Sequence, residues 1–600
     1  MTLISRRLQF ARYGFRCRLW SLLFCFLLLL PVAALGQTGN KTGSDVCPRP
    51  LIGSFVPEPE DLRSENGVLK VELTYTNFRD ARGQLHFCYR DNNGSQAPNL
   101  RLKPGDWLEL TLKNELREEL SADPVHDHAR QSGKSGSTCG SGVMDSLATN
   151  LHFHGLSVPP VCHQDDVLNT FISPSGPAFE YRLQIPPDQP PGVYWYHPHV
   201  HGMSNVQVQG GASGALIVEG IERANPVVAG LPERVLIVRD QELLTPDAVP
   251  NATMVMPELP PLRDPDGDIL NTGTGAGKPS KDLSLNYVVV PYPDYAPSLI
   301  LMRPSERQLW RILNASAITY LDLRVLFNGV PQPLGQLSLD GVPIDQSVSS
   351  NQGAARAGGA DKNGIVWQQH IDLPPGGRAD FVFQGPPTGV YGNLITHAVD
   401  TGPAGENDPI RPLANIVAKA DAPEPRSILP TTNAAVATQS VASQLSNIKP
   451  TRTRNLYFSE RPSDPANPNS RTVFMLTVDG QKEEPYDPAA TAPNIIVKQG
   501  DVEDWVIENR SLELHAFHIH QLHFLLTDLN GAPVQDGFLR DTVNVGFWDG
   551  KNAMYPSVRL RMDFRNPKIV GTFVYHCHLL EHEDGGMMGT IRVITAREAK

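Results

Sequence analysis

Eighteen histidines are present, and ten fall in four short groups. The groups are "NLHFHGL" with His152 and His154, "WYHPHVHG" with His197 and His199, "HAFHIHQLHF" with His515, His518 and His520, and "YHCHLLEHEDGGMMG" with His576, His578 and His582. The pairs 152/154, 197/199, 518/520 and 576/578 are spaced i, i+2, so in an extended strand both members project from one face. Eight imidazoles on one patch would repel if charged, and buried neutral without partners they would be poorly satisfied. A metal cluster removes both difficulties. Imidazole suits zinc, copper, iron and nickel, and the thiolate of Cys577 narrows the choice. Zinc fingers would need paired cysteines, which these groups lack. Two histidines, one cysteine and a weak axial methionine form the donor set of a blue-copper site. Strand alternation then explains why Cys577 stands between histidines: it points to one side, and His576 and His578 point to the other.

The elements that must position these donors read as strands. From about Val68 to Val218 the runs "LKVELTYTNF", "WLELTLKNEL" and "GALIVEG" alternate between turns, interrupted by a long loop at Ser121–Asn150. A second block, about Arg234 to Ala420, carries "RVLIVRDQELL", "ERQLWRILNAS", "LDLRVLF" and "ADFVFQG", with a Gly/Asp/Pro-rich insertion at Arg263–Ser280. A polar linker follows, and a third block of short strands runs to about Thr595. No long 3.6-residue period occurs, so helices should be short. Three sandwich-sized blocks result, with two histidine groups in the first, two in the third and none in the second.

The four motifs resemble those of the multicopper oxidases, the family of laccases, ascorbate oxidase, bilirubin oxidases and bacterial cuprous oxidases. The resemblance spans most of the chain and fills all ten family histidine positions, the cysteine and the axial methionine. It implies an all-β chain of three cupredoxin-like Greek-key β-sandwich domains at 50–222, 230–420 and 453–600, with a linker at 421–452 and no copper ligands in the middle domain. It implies four copper ions. His515, Cys577 and His582 would hold the type 1 copper with Met587 axial. His152 and His518 would hold the type 2 copper. His154, His197, His199, His520, His576 and His578 would hold the type 3 pair. Met588, a strand neighbour of Met587, should point away from the metal.

The reaction so implied takes single electrons from a small reducing substrate and reduces O2 to water, with electrons passing through Cys577. Protons must reach the O2 site, and a carboxylate is the usual supplier. Glu583, directly after His582, resembles the proton-donating glutamate of bacterial members, ahead of Glu581 and Asp584. Asp165 or Asp166 in "CHQDDV" would match the acid beside the type 2 copper, with Asp165 favoured, although the local text departs from the usual family form. His201 and His523 extend the motifs by one more step and read as hydrogen-bonding supports for the ligands. His86, His126, His128, His370 and His397 lack such context. Only 11 methionines are present, scattered apart from Met254–Met256. A laccase-like oxidase of phenols or aromatic amines is therefore expected over a metal oxidase for Cu(I) or Fe(II) in copper tolerance. A non-catalytic copper-binding or assembly factor is the third reading, and the intact ligand set argues against it.

The first 36 residues read as a secretory signal: five arginines, an apolar run from Leu19 to Leu30, and small residues Ala34 and Gly36 before a cut. Ser5–Arg7 carries the arginine pair of twin-arginine export, but Gln9 and Phe10 are out of place for that signal and Arg16 and Arg18 crowd the apolar run, so the export route stays open. The expected location is periplasmic or secreted, as a monomer with no stable membrane span after cleavage. Removing those arginines takes the formal charge from −12 to −17. Nucleic acid is excluded as a partner by so acidic a surface. Five cysteines remain; Cys577 is the odd one, and Cys47, Cys88, Cys139 and Cys162 allow three disulfide pairings.

Overall fold

Alternation decides which residues become strands. In Val68–Arg79 the side chains of Leu69, Val71, Leu73 and Tyr75 are buried, whereas Lys70 and Glu72 face water. One face meets the core and the other the solvent, and each buried Leu or Val contributes about 1.5–3 kcal/mol. The computed structural model describes residues 46–117, 139–140, 144–174, 176–248, 277–345, 361, 363–431, 441–467 and 470–599. The signal segment 1–36, His126, His128, Met254–Met256 and most of the Arg263–Ser280 insertion lie outside the described residues.

The strands build an all-β protein of three two-sheet sandwiches. The first pairs the sheet of Leu85–Arg90, Val68–Arg79, Trp107–Asn114 and Phe179–Gln184 with a five-stranded sheet ending in Gly192–His197 and His152–His154. Leu73, Leu110, Phe153 and Tyr196 lie in the core between them. Trp310, Leu323, Phe381 and Leu394 fill the middle sandwich. Trp505, Phe517, Tyr575 and Ile591 fill the third. The sheets are mixed, and the same wiring recurs three times. Val68–Arg79 runs parallel to Trp107–Asn114, Pro232–Gln241 to Arg307–Asn314, and Arg452–Pro462 to Val502–Asn509.

Among the described residues no α-helix exceeds six residues, as in Ser204–Gln209, and none is long and apolar enough to cross a membrane. The linker text is anchored at intervals. Ser427–Ile428 pairs antiparallel with Pro232 and Glu233, and the Val441–Ser446 helix buries Ala442 and Leu445 against Val502 and Leu525. Cys47 bonds Cys88 and Cys139 bonds Cys162, one of the three pairings left open by the sequence; Cys577 is free and buried.

Candidate metal centre

The edge strand His152–His154 and its neighbour Gly192–His197 in the first sandwich, and two strands of the third, carry the histidines. His152–His154 pairs antiparallel with Gly192–His197, which sets His152 beside His197. His515–Ile519 pairs antiparallel with Gly571–Cys577, which sets His518 beside His576 and Phe517 beside Cys577. Alternation then sorts both strands. His515, Phe517 and Cys577 share one face, and His518 and His576 share the other. Only the 152/154 pair lies wholly inside a strand. The strands carrying the other pairs end at His197, Ile519 and Cys577, so His199, His520 and His578 lie just beyond. Pro198, which has no N–H for a ladder, accounts for the first of these ends.

On the Cys577 face, Cys577 Sγ lies 3.5 Å from His515 Nδ1 and 3.9 Å from His582 Nδ1, and the two ring nitrogens are 3.3 Å apart. Met587 is fully buried in the same core cluster as Cys577, and its carbonyl accepts the Cys577 N–H. Met588 packs elsewhere, with Val167 and Val574, as alternation requires. Burial pushes the Cys577 thiol up, so the thiolate needs a cation beside it. The outer nitrogens meet acids: His515 Nε2 lies 2.9 Å from Glu460 Oε1, and His582 Nε2 lies 3.5 Å from Glu513 Oε1. Ser511 Oγ also lies 2.8 Å from His515 Nε2, and Phe474 stacks on the His582 ring.

On the other face eight rings converge. Three sets of donors are close enough to share an ion: His152, His154 and His518; His154, His197 and His578; and His199, His520 and His576. In the last set His576 Nε2 lies 3.2 Å from His199 Nε2 and 3.3 Å from His520 Nε2. Nitrogens bound to one metal at about 2.0 Å stand about 3.3 Å apart, so the spacing fits. The buried atoms His152 Nε2, His154 Nδ1, His197 Nε2 and His518 Nε2 have no hydrogen-bond partner. Their opposite ring nitrogens do. His152 Nδ1 meets Asp165 at 3.0 Å, His154 Nε2 meets Asp541 Oδ1 at 3.0 Å, and His197 Nδ1 and His518 Nδ1 meet the carbonyls of Pro198 and Asp541 at 3.0 and 2.8 Å. Each ring is thus held from behind and presents a bare nitrogen inward. Burial, followed by the neighbouring rings, holds His154, His199, His518, His520 and His578 well below the usual imidazole range. Burial takes His576 down to about 3. Neutral, orphaned and convergent, these donors suit copper.

Asp165 is the buried acid behind His152; it also accepts from Phe153 N and Gln521 Nε2, whereas Asp166 accepts from Asn169. Glu583 is fully buried, its carboxyl 3.6 Å from His201 Nδ1, and burial pushes it up to about 7. Asp584 is committed to the N–H groups of Gly202, Ser204 and Asn205. His523 donates to the Asp340 carbonyl and lies 3.4 Å from Asp541 Oδ2. His86 faces Asp80, and the exposed His370 and half-buried His397 lie around Asp322. Sequence reasoning missed Glu460, Glu513, Asp541 and Arg378. None lies in a histidine motif, and no local pattern marks them. A small apolar recess, lined in part by Met144, Val167, Phe171 and Met588, reaches His199 and His201.

The arrangement defines a copper oxidoreductase built on cupredoxin-type sandwiches. Multicopper oxidase family models match residues 144–223 and 461–597. The chain is 24% identical over 538 residues to the multicopper oxidase mco of Staphylococcus haemolyticus, covering 89% of this chain and 88% of that one. It is 23% identical to the laccase of Bacillus subtilis, covering 74% and 79%. A solved multicopper oxidase from Campylobacter jejuni, described as a metallo-oxidase, superposes with TM-score 0.59 at 22% identity over 91% of this chain and 96% of that one, a likeness of fold. The chain belongs to the multicopper oxidase family, whose members take electrons from a reducing substrate and use O2 as acceptor.

Proposed function

We propose that the chain couples four one-electron oxidations of a phenol or aromatic amine to the reduction of O2 to water, using four copper ions. His515, Cys577 and His582, together with Met587, would hold the type 1 copper. His152 and His518 would hold the type 2 copper, and His154, His197, His199, His520, His576 and His578 would hold the type 3 pair. The observation that carries this reading is the sorting of Cys577 and His576 to opposite faces of one strand, each into a separate cluster of close-set ligand atoms. Copper, when bound, supplies one-electron redox chemistry and enough reducing equivalents to avoid half-reduced oxygen.

The chain's own groups supply the rest. The Cys577 peptide joins the thiol to His576 and His578, a short covalent path between the two clusters. Glu583 holds a proton beside His201 at the recess, and Asp165 fixes His152 and keeps a second carboxylate near the cluster. At the outer side Leu512, which lies between Ser511 and Glu513 in the chain, is 40% exposed and offers an apolar surface for a flat donor. Glu460 and Glu513 can accept the proton such a donor loses on oxidation. Those same carboxylates favour a second reading, a reduced metal ion as donor, because hard oxygen ligands suit Fe(II) better than a phenol needs.

The division into domains at 50–222, 230–420 and 453–600 with a 421–452 linker, export after cleavage at residue 36, and a monomeric state belong to the same proposal. Its test is O2 uptake by the copper-loaded chain with a phenol, an aromatic amine, Cu(I), Fe(II) and no donor. Uptake confined to Cu(I) or Fe(II) moves the assignment to a metal oxidase. No donor-dependent uptake at all leaves only a copper-binding or assembly role.

A further inference from the structure

The middle sandwich contributes no histidine to the clusters, yet it plants one cation behind them. Arg378 opens the Arg378–Gln384 strand and is fully buried. Its two Nη atoms donate to the two oxygens of Asp541, Nη1 to Oδ1 at 2.7 Å and Nη2 to Oδ2 at 2.6 Å. The fork is held in turn by the carbonyls of Gly376, Asp340 and Val193. Asp340, also from the middle sandwich, accepts the backbone N–H groups of Asp541 and Thr542 on its Oδ2. The site has no room for error: a Cβ on Gly155, the residue after His154, would sit 2.5 Å from Arg378 Nη2 and 2.9 Å from Asp541 Oδ2. Bidentate guanidinium–carboxylate pairs fix orientation as well as charge.

Asp541 controls two rings. Its Oδ1 accepts from His154 Nε2 at 3.0 Å, and its carbonyl accepts from His518 Nδ1 at 2.8 Å. A neutral imidazole that donates from one nitrogen presents the lone pair of the other. Those other nitrogens, His154 Nδ1 and His518 Nε2, are the buried ones without partners. The Thr542 hydroxyl, 2.9 Å from Asp541 Oδ1, completes the clamp.

We propose that Arg378 and Asp541 form a positioning pair that selects which nitrogens of His154 and His518 face the metal, so that the ligand-free middle domain is a working part of the trinuclear centre. The inference rests on the assignment of these histidines to copper. The pair touches none of His515, Cys577 and His582, so its loss should separate the two centres.

The test compares full-length wild type with Arg378→Lys, which keeps the charge and loses the fork, and with Asp541→Ala and Asp541→Asn. Copper per chain, the blue absorption of the type 1 centre and the electron paramagnetic resonance signal of the type 2 centre are measured after copper loading. Loss of a supporting residue behind a ligand weakens metal binding about 10–100-fold. The expected result is an intact blue band with depleted or altered type 2 and type 3 copper in Arg378→Lys and Asp541→Ala, and a milder change in Asp541→Asn, whose amide oxygen can still accept from His154. Unchanged copper content and type 2 signal overturn the proposal, as does parallel loss of the blue band, which marks a general folding defect. Wild type lacking all copper but the blue centre would instead refute the ligand assignment itself.

Discussion

Cys577 Sγ and His515 Nδ1 lie 3.5 Å apart although 62 residues separate them in the chain. Two antiparallel strands in register make that contact, and the same register puts His576 beside His518 on the opposite face. One residue of slip would exchange the faces and dissolve both clusters. Cys577→Ser should therefore abolish the blue colour while leaving copper at the eight-histidine cluster. Visible absorption and total copper per chain check this, and a colourless copper-replete wild type would refute the type 1 assignment.

Glu583→Gln keeps the size of the side chain and removes its exchangeable acid. The blue colour should survive, because the His582 ring is packed by Phe474 and faces Glu513 rather than Glu583. Turnover with any donor should fall about 10²-fold or more, the usual contribution of a positioned proton donor. Single-turnover reduction of the blue centre should proceed at the wild-type rate, with its reoxidation by O2 slowed. Unchanged reoxidation removes the proton role.

Much of this site was legible because its information is local. Histidines two residues apart in extended chain share a face, so the four pairs could be read without knowing the fold, although three of them run past the ends of their strands. The same periodicity separated Cys577 from its neighbours and Met588 from Met587. The Arg378–Asp541 pair was not legible, because its partners are 163 residues apart and belong to different sandwiches. Glu460 and Glu513 were hidden for the same reason, each meeting its histidine through tertiary packing. Cysteine spacing left three pairings open because a disulfide depends on which strands become neighbours. The linker carries few large apolar residues, yet Ala442 and Leu445 are buried. Sparse anchors of that kind have no period to detect.

Glu233 joins the first and middle sandwiches through Arg101 and Arg311, all three side chains being buried. Burial opposes its charge, but the two arginines outweigh that and take the carboxyl down to about 2. A depressed acid stabilises the fold above its unfolded pKa and loses that contribution as pH falls through the folded value. The contribution, about 3 kcal/mol, should be complete above pH ~4.5 and disappear towards pH ~2. Glu233→Gln leaves two buried guanidiniums short of a partner and should cost about 3–5 kcal/mol at neutral pH. Thermal unfolding of both proteins across pH 3–7 checks the sign: the difference should narrow on acidification, and a constant gap would contradict it.

Glu460→Gln and Glu513→Gln probe the donor. For a phenol or aromatic amine each substitution should lower turnover by removing a proton acceptor at the outer side, with the greater change in kcat. For Fe(II) or Cu(I) each should raise KM by removing a ligand oxygen. Steady-state kinetics on both donor classes separates the two, and a KM effect limited to metal donors would overturn the preference for aromatic substrates.

Two copper centres joined through Cys577 would deliver four electrons to each O2. The most direct measurement is the number of electrons drawn from a one-electron phenolic donor per O2 consumed by the copper-loaded chain, with hydrogen peroxide assayed in the same vessel. Four electrons per O2 and no peroxide are expected. Two electrons per O2 with stoichiometric peroxide would contradict that.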